Sequence, residues 1–185
     1  MLNNVLAAFN SGVAASTTSF ESIATVTVGS GGAANVEFTS IGTDWTHLQI
    51  RWMARTGSVN SVLFTFNNDT GSNYSGRHRL GGDGATASAS GLASQTRIQT
   101  FGIEGLPTAS NTFGVGVADI LDYRNTNKYK TFRQLCGGDA NGSGQIELTS
   151  GAWMNTNAIT SIKIAPDTST FAQYSHFALY GIKSA

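Results

Sequence analysis

The chain has 185 residues, the usual size of one domain, of which 40% are hydrophobic and only 12% are charged. Lysine plus arginine and aspartate plus glutamate number 11 each, so the formal net charge is zero. This balance removes the electrostatic attraction that nucleic acid or an anionic membrane surface requires, and we expect neither as a partner. The single cysteine, Cys136, excludes an internal disulfide and a zinc site built from several cysteines.

The first segment differs from the rest of the chain. Apolar residues recur there at helical spacing, at Leu2, Val5, Leu6 and Phe9. We therefore predict an N-terminal arm or short helix over residues 1–19. A helix of this length is not stable by itself, so the arm is expected to dock on a neighbouring protein. Because the segment has no basic start and no long apolar run, it does not read as a secretion signal.

From Phe20 onward the pattern changes to short runs rich in β-branched and aromatic residues. The clearest run is 46–55, in which Leu48, Ile50 and Trp52 alternate with polar or longer side chains, so one face of that strand is core. Strands are predicted at 20–28, 35–41, 46–55, 61–67, 74–80, 96–103, 112–121, 129–137, 145–154, 159–165 and 176–182.

The segments between these runs have turn composition, for example the sequence NNDTGSN at 67–73. Residues 81–95 are too poor in apolar side chains for a buried strand, and we predict a surface loop. No helices alternate with the strands, which excludes a parallel α/β sheet. The prediction is one all-β domain over residues 20–185, an antiparallel β-sandwich, with a jelly-roll-like topology favoured by the number of strands.

Residues that could carry catalysis do not form a recognisable pattern. His47, His78 and His176 lack the spacing of a zinc site, and no nucleophile motif of the GxSxG type is present. The glycine-rich stretches lack the phosphate-loop pattern, and the carboxylates show no glycosidase spacing. We therefore predict that the chain is not an enzyme and has no catalytic residues, no bound metal and no cofactor.

Aromatic and amide side chains near loops indicate a second kind of site. Exposed aromatic rings beside Asn and Asp are how sandwich lectins hold sugars. Candidates for such a surface are Trp45, Asn68, Asp69 and Trp153, with Trp52 assigned to the core. The oxygen-rich loop at 67–73 could also hold calcium, but tight turns use the same residues.

Four stretches resemble a β-sandwich domain that is common in virion proteins of tailed phages, especially cyanophages. They begin with FESIATVTVGSGG, FTFNNDTGSNY, NTNKYKTFRQLCGG and AITSIKIAPDTSTF, and together they extend over about residues 20–183. The resemblance rests mainly on the loop NNDTGSNY, the strand start NKYKT and the closing strand FALYGI. It implies a virion structural protein without cofactor or catalysis.

Members of that family often end longer tail-fibre or baseplate chains, whereas this domain follows only a short arm. That layout favours a capsid decoration, or cement, protein, made in the host cytoplasm and located on the capsid surface. Its expected partners are the major capsid protein, contacted by Leu2, Val5, Leu6 and Phe9 of the arm, and copies of itself, as a homotrimer. The alternative is a tail-fibre or baseplate receptor-binding module that recognises host glycans.

Overall fold

A computed structural model describes residues 19–57, 60–83, 86–103, 111–139 and 144–183 of the chain. Every regular element in these ranges is a β-strand. The strands are β1 (Phe20–Thr27), β2 (Val36–Phe38), β3 (His47–Ala54), β4 (Asn60–Phe66), β5 (Tyr74–Asp83), β6 (Thr86–Ser90), β7 (Ile98–Ile103), β8 (Gly114–Leu121), β9 (Lys130–Asp139), β10 (Gly144–Trp153), β11 (Ile162–Pro166) and β12 (His176–Ile182). The described part of the chain contains no helix long and apolar enough to cross a membrane.

The strands form two antiparallel sheets, which confirms the predicted sandwich. The large sheet has eight strands in the order β1-β12-β3-β8-β9-β10-β5-β6, and the small sheet has four in the order β2-β11-β4-β7. The pairs β1 with β12, β2 with β11, β3 with β8 and β4 with β7 are nested along the chain and alternate between the sheets. This nesting is the topology of a jelly roll, a long hairpin folded across two sheets.

Four further strands extend one sheet of the jelly roll. Strands β9 and β10 are inserted between β8 and β11, and β5 and β6 between β4 and β7. All four add to the large sheet beyond β8. The large sheet is therefore twice as wide as the small one, and its outer face is the broadest surface of the domain.

One predicted segment needs correction. Residues 81–95 are not one continuous loop, because β5 continues to Asp83 and β6 follows as the edge strand of the large sheet. The low apolar content argues only against a buried strand, and an edge strand such as β6 can be stable through backbone pairing with one neighbour. The side chains at 87–90 are exposed, as the composition predicted.

The core lies between the two sheets. On β3 the predicted alternation is confirmed, since Leu48, Ile50, Trp52 and Ala54 are all buried. The first described strand, β1, begins at Phe20. The arm residues Leu2, Val5, Leu6 and Phe9 lie outside the described residues, so their role stays a prediction.

Candidate contact surface

The outer face of the large sheet carries a row of exposed apolar side chains across four adjacent strands. Their exposed fractions run from 39% to 68%. We call this group the outer band, and its members are Met53, Val115, Val117, Leu135, Ile146 and Leu148.

Strand pairing places these residues next to one another. In one row Met53 pairs with Val115, which pairs with Gly137, which pairs with Ile146. In the adjacent row Val117 pairs with Leu135, which pairs with Leu148. Directly paired residues point to the same side of a sheet, so the six side chains form one continuous surface. Neighbouring strands are ~4.8 Å apart, which makes the band about 15 Å wide before its side chains are counted.

In the middle of β9 and β10 the polarity of the two faces is inverted. Gln134, Glu147 and Thr149 point inward and are buried, while Leu135, Ile146 and Leu148 point outward. The Gln134 amide donates to Thr100 Oγ1 over 3.0 Å, and the Thr149 hydroxyl donates to Glu147 over 2.5 Å. Over these residues strand polarity is the reverse of what a sheet with one solvated face normally shows, although Phe132 and Trp153 on the same inward face are buried.

On β8 the ring of Trp52 explains why the residues around Gly116 have small side chains inside and larger ones outside. Gly116 faces inward, and a Cβ at this position would lie 2.3 Å from the ring of Trp52. The interior therefore admits no side chain there, and Gly114 and Ala118 on the same inward face are also small. Next to Gly116 the larger side chains, those of Val115 and Val117, point outward and belong to the outer band, while Ile120 further along the strand is buried.

A polar ladder borders the outer band. The Asp119 carboxylate accepts hydrogen bonds from Gln49 at 2.8 Å and from Arg133 at 2.8 Å. Gln49 in turn accepts one from Arg51, whose guanidinium lies 4.9 Å from the ring centre of Tyr180. Asp119 and Arg133 therefore compensate each other within one copy of the chain, while Arg51 is held by a neutral amide and an aromatic ring.

In the region predicted as a glycan surface, one of the two aromatic candidates is buried and bonded to the loop. Trp153, predicted as a surface contact, is only 1% exposed, and this prediction is wrong. The ring packs against Phe66 and Tyr74 in the core, and its Nε1 donates to Asp69 Oδ2 over 2.7 Å. Proximity to a strand end had suggested exposure, but the odd-numbered face of β10 is the buried one.

Asp69 is occupied by donors from its own loop. Its carboxylate accepts hydrogen bonds from the Gly71 backbone and the Asn73 amide as well as from Trp153. Burial by itself would raise the pKa of Asp69, but these donors outweigh burial and hold it below the usual 3.8. Asn68, beside it, is exposed at a turn with positive φ. Because N–H groups surround the carboxylate, the loop is arranged as a turn and offers little to a cation.

Trp45 is half-buried and also has structural partners. Its Nε1 donates to Glu21 over 2.9 Å, and a Cβ at Gly181 would lie 2.2 Å from its ring. The ring therefore lies flat on the backbone of β12. Of the four predicted surface residues, the structure joins only Asp69 and Trp153, and it joins them inside the fold.

The remaining candidates for chemistry are dispersed. His47 accepts a hydrogen bond from the Asp122 backbone, and His176 lies 2.9 Å from the Thr27 hydroxyl, while His78 belongs to β5. An open polar cleft of about 380 Å³ is lined by Thr46 and the loop 122–127. Across the described ranges, no three His, Cys, Asp or Glu residues are grouped so that they could hold a metal ion.

Comparisons of the chain with protein-family models, with curated proteins and with solved structures find no match.

Proposed function

We propose that the chain is a structural protein of a phage virion, most specifically a capsid decoration protein that binds the outer shell and bridges neighbouring subunits. The observation that carries this proposal is the outer band. An exposed apolar patch on a monomer of this size usually serves a contact with another macromolecule. The resemblance to tailed-phage virion domains supports a virion as the assembly in which that contact forms.

The composition of the rest of the surface supports the same proposal. With 12% charged residues and zero net charge, the chain has little electrostatic repulsion to keep copies apart. A permanent member of an assembly tolerates weak repulsion between copies, because association is part of its function. A shell also presents the same binding site many times, so an oligomer that contacts several sites at once binds more tightly through avidity.

The glycan-binding alternative receives less support. Its best aromatic candidate, Trp153, is buried, and Trp45 is held against β12 and bonded to Glu21. A sugar site would need an exposed ring that is free to stack on the ligand. The outer band is aliphatic, and aliphatic side chains suit protein surfaces better than sugar rings.

Re-addition to shells that lack the chain tests the proposal. Purified full-length protein should bind such shells saturably, at a fixed number of copies per shell, and should raise the temperature at which they release DNA. Replacement of arm residue Phe9 by Asp should reduce this binding, with Tyr129→Lys, an exposed change away from the band, as the control. Binding to tails or to host glycans and not to shells would contradict the proposal.

A further inference from the structure

We propose that the outer band of one copy packs against the outer band of a second copy, so that the protein is a two-fold symmetric dimer joined through its large sheets. This inference rests on the proposed function in one respect, that the band is a contact surface. It adds the identity of the partner. The arm is then left free to contact the shell.

The area of the band matches one side of a standard interface. Six side chains at these exposures present on the order of 500 Å² of apolar surface, within the range at which a patch is often functional. A stable interface buries roughly 800 Å² per partner, and about 65% of a homodimer interface is apolar. The outer band therefore supplies about the apolar area that one protomer needs, and the polar ladder supplies the rim.

The local inversion of polarity in β10 is a second argument. Glu147 and Thr149 are buried while Ile146 and Leu148 are exposed, so this part of β10 presents apolar side chains away from its own core as well as burying Trp153 within it. A sheet with both faces apolar is typical of strands that are covered on both sides. Covering the outer face with a second sheet gives these strands that environment.

The charges at the border of the band also suit a second copy. The band contains no charged residue, and Arg133 and Asp119 at its border neutralise each other at 2.8 Å. Closing an identical surface over this pair therefore leaves both of its charges partnered.

The geometry of the sheet face favours a dimer over the homotrimer predicted from the sequence. A broad sheet face packs against one other sheet face, about 10 Å away, as the sheets of a sandwich do. When the same patch is used on both copies, as with two outer bands, the contact is isologous and closes after two copies. Residues near the two-fold axis then lie opposite their own counterparts.

Sedimentation equilibrium on the full chain tests the inference. The protein of 19.4 kDa should show twice that mass at micromolar concentration. Leu135→Lys should give the single-chain mass at the same concentration, while Tyr129→Lys should remain dimeric. The two replaced side chains are 57% and 58% exposed, so the comparison controls for the loss of exposed apolar area. Far-UV circular dichroism spectra of both variants should match that of the parent protein, which shows that each variant is folded, and the melting temperature of Leu135→Lys should be lower than that of the dimeric parent because it lacks the stabilisation by association.

A cross-link gives an independent readout. Under mild oxidation Val117→Cys, in the middle of the band, should form a disulfide-linked dimer, whereas Tyr129→Cys should not. A monomeric parent protein, a trimer, or a dimer that survives Leu135→Lys would overturn the inference. Dissociation by Phe9→Asp without any effect of Leu135→Lys would also overturn it, by making the arm the interface.

The two proposals can fail separately. A band-dependent dimer that does not bind shells leaves this inference standing and contradicts the proposed function. A monomer that binds shells overturns this inference and leaves the proposed function standing.

Discussion

Lys130 is the most informative single residue for the stability of the fold. Its side chain is fully buried, with 0% of the residue exposed. The ammonium donates to three backbone carbonyls, those of Asn125 at 2.5 Å, Lys128 at 2.8 Å and Thr156 at 3.1 Å. It thus fastens the loop between β8 and β9 to the loop after β10.

Replacing Lys130 by Met keeps most of the buried hydrocarbon stem but removes all three donors. A carbonyl that loses its donor costs about 1–3 kcal/mol where water cannot replace that donor, and three such hydrogen bonds are lost here. We expect a loss of about 3–5 kcal/mol in the free energy of unfolding. For a domain of this size that lowers the melting temperature by roughly 10 °C.

Urea unfolding followed by tryptophan fluorescence measures this loss. The matched control is Lys128→Met, because Lys128 lies nearby on the surface and pairs with Asp122 at 3.2 Å. An exposed pair contributes at most about 1 kcal/mol. A loss below about 1 kcal/mol for Lys130→Met, equal to that of the control, would refute the reasoning, since it would mean that the carbonyls find other donors.

The same pair of proteins tests the protonation of Lys130. Burial lowers the pKa of Lys130 below its usual 10.5, while the Asp122 charge acts in the opposite direction. The folded state therefore holds fewer protons than the unfolded state between the lowered pKa and about 10.5. The stability advantage over Lys130→Met should increase as pH rises through that window. A constant difference would contradict the lowered pKa.

Three further variants test other contacts. Asp69→Asn should lose about 2–3 kcal/mol at neutral pH, since an amide N–H would face the donors that surround the carboxylate. Because the pKa of Asp69 is lowered, that difference should vanish as pH falls through the folded value, and an acid-independent difference in urea unfolding would be inconsistent with it. Gly116→Ala should lose about 1–3 kcal/mol by forcing a Cβ against Trp52, whereas Gly29→Ala, with no atom within 4 Å, should be nearly neutral in thermal melts. Asn67→Asp should lose about 1–3 kcal/mol because its amide donates to a backbone carbonyl over 2.8 Å, and an unchanged urea midpoint would refute this role.

Local patterns were enough to predict the sandwich. Alternation on β3 identified the buried face with Trp52, and turn-rich segments separated most strands correctly. The nested pairing of β1 with β12 and β2 with β11 joins residues far apart in the chain, and local periodicity carries no direct signal for it. Only the number of strands pointed toward a jelly roll.

The outer band was missed although the sequence contains a signal for it. In β10 Trp153 shares its phase with Glu147 and Thr149, so burying the tryptophan forces Ile146 and Leu148 outward. Hydrophobicity alone assigns those two residues to the core. What decides the phase is the size of the tryptophan ring and its contacts with Phe66 and Asp69, which come from other strands.

The contact role of the outer band is tested most directly by a reconstruction of an intact virion at side-chain resolution. We predict density for the chain at symmetry-related positions on the capsid, with copies in pairs and their outer bands facing each other. Density at the tail alone, or bands that face solvent on the shell, would contradict the account.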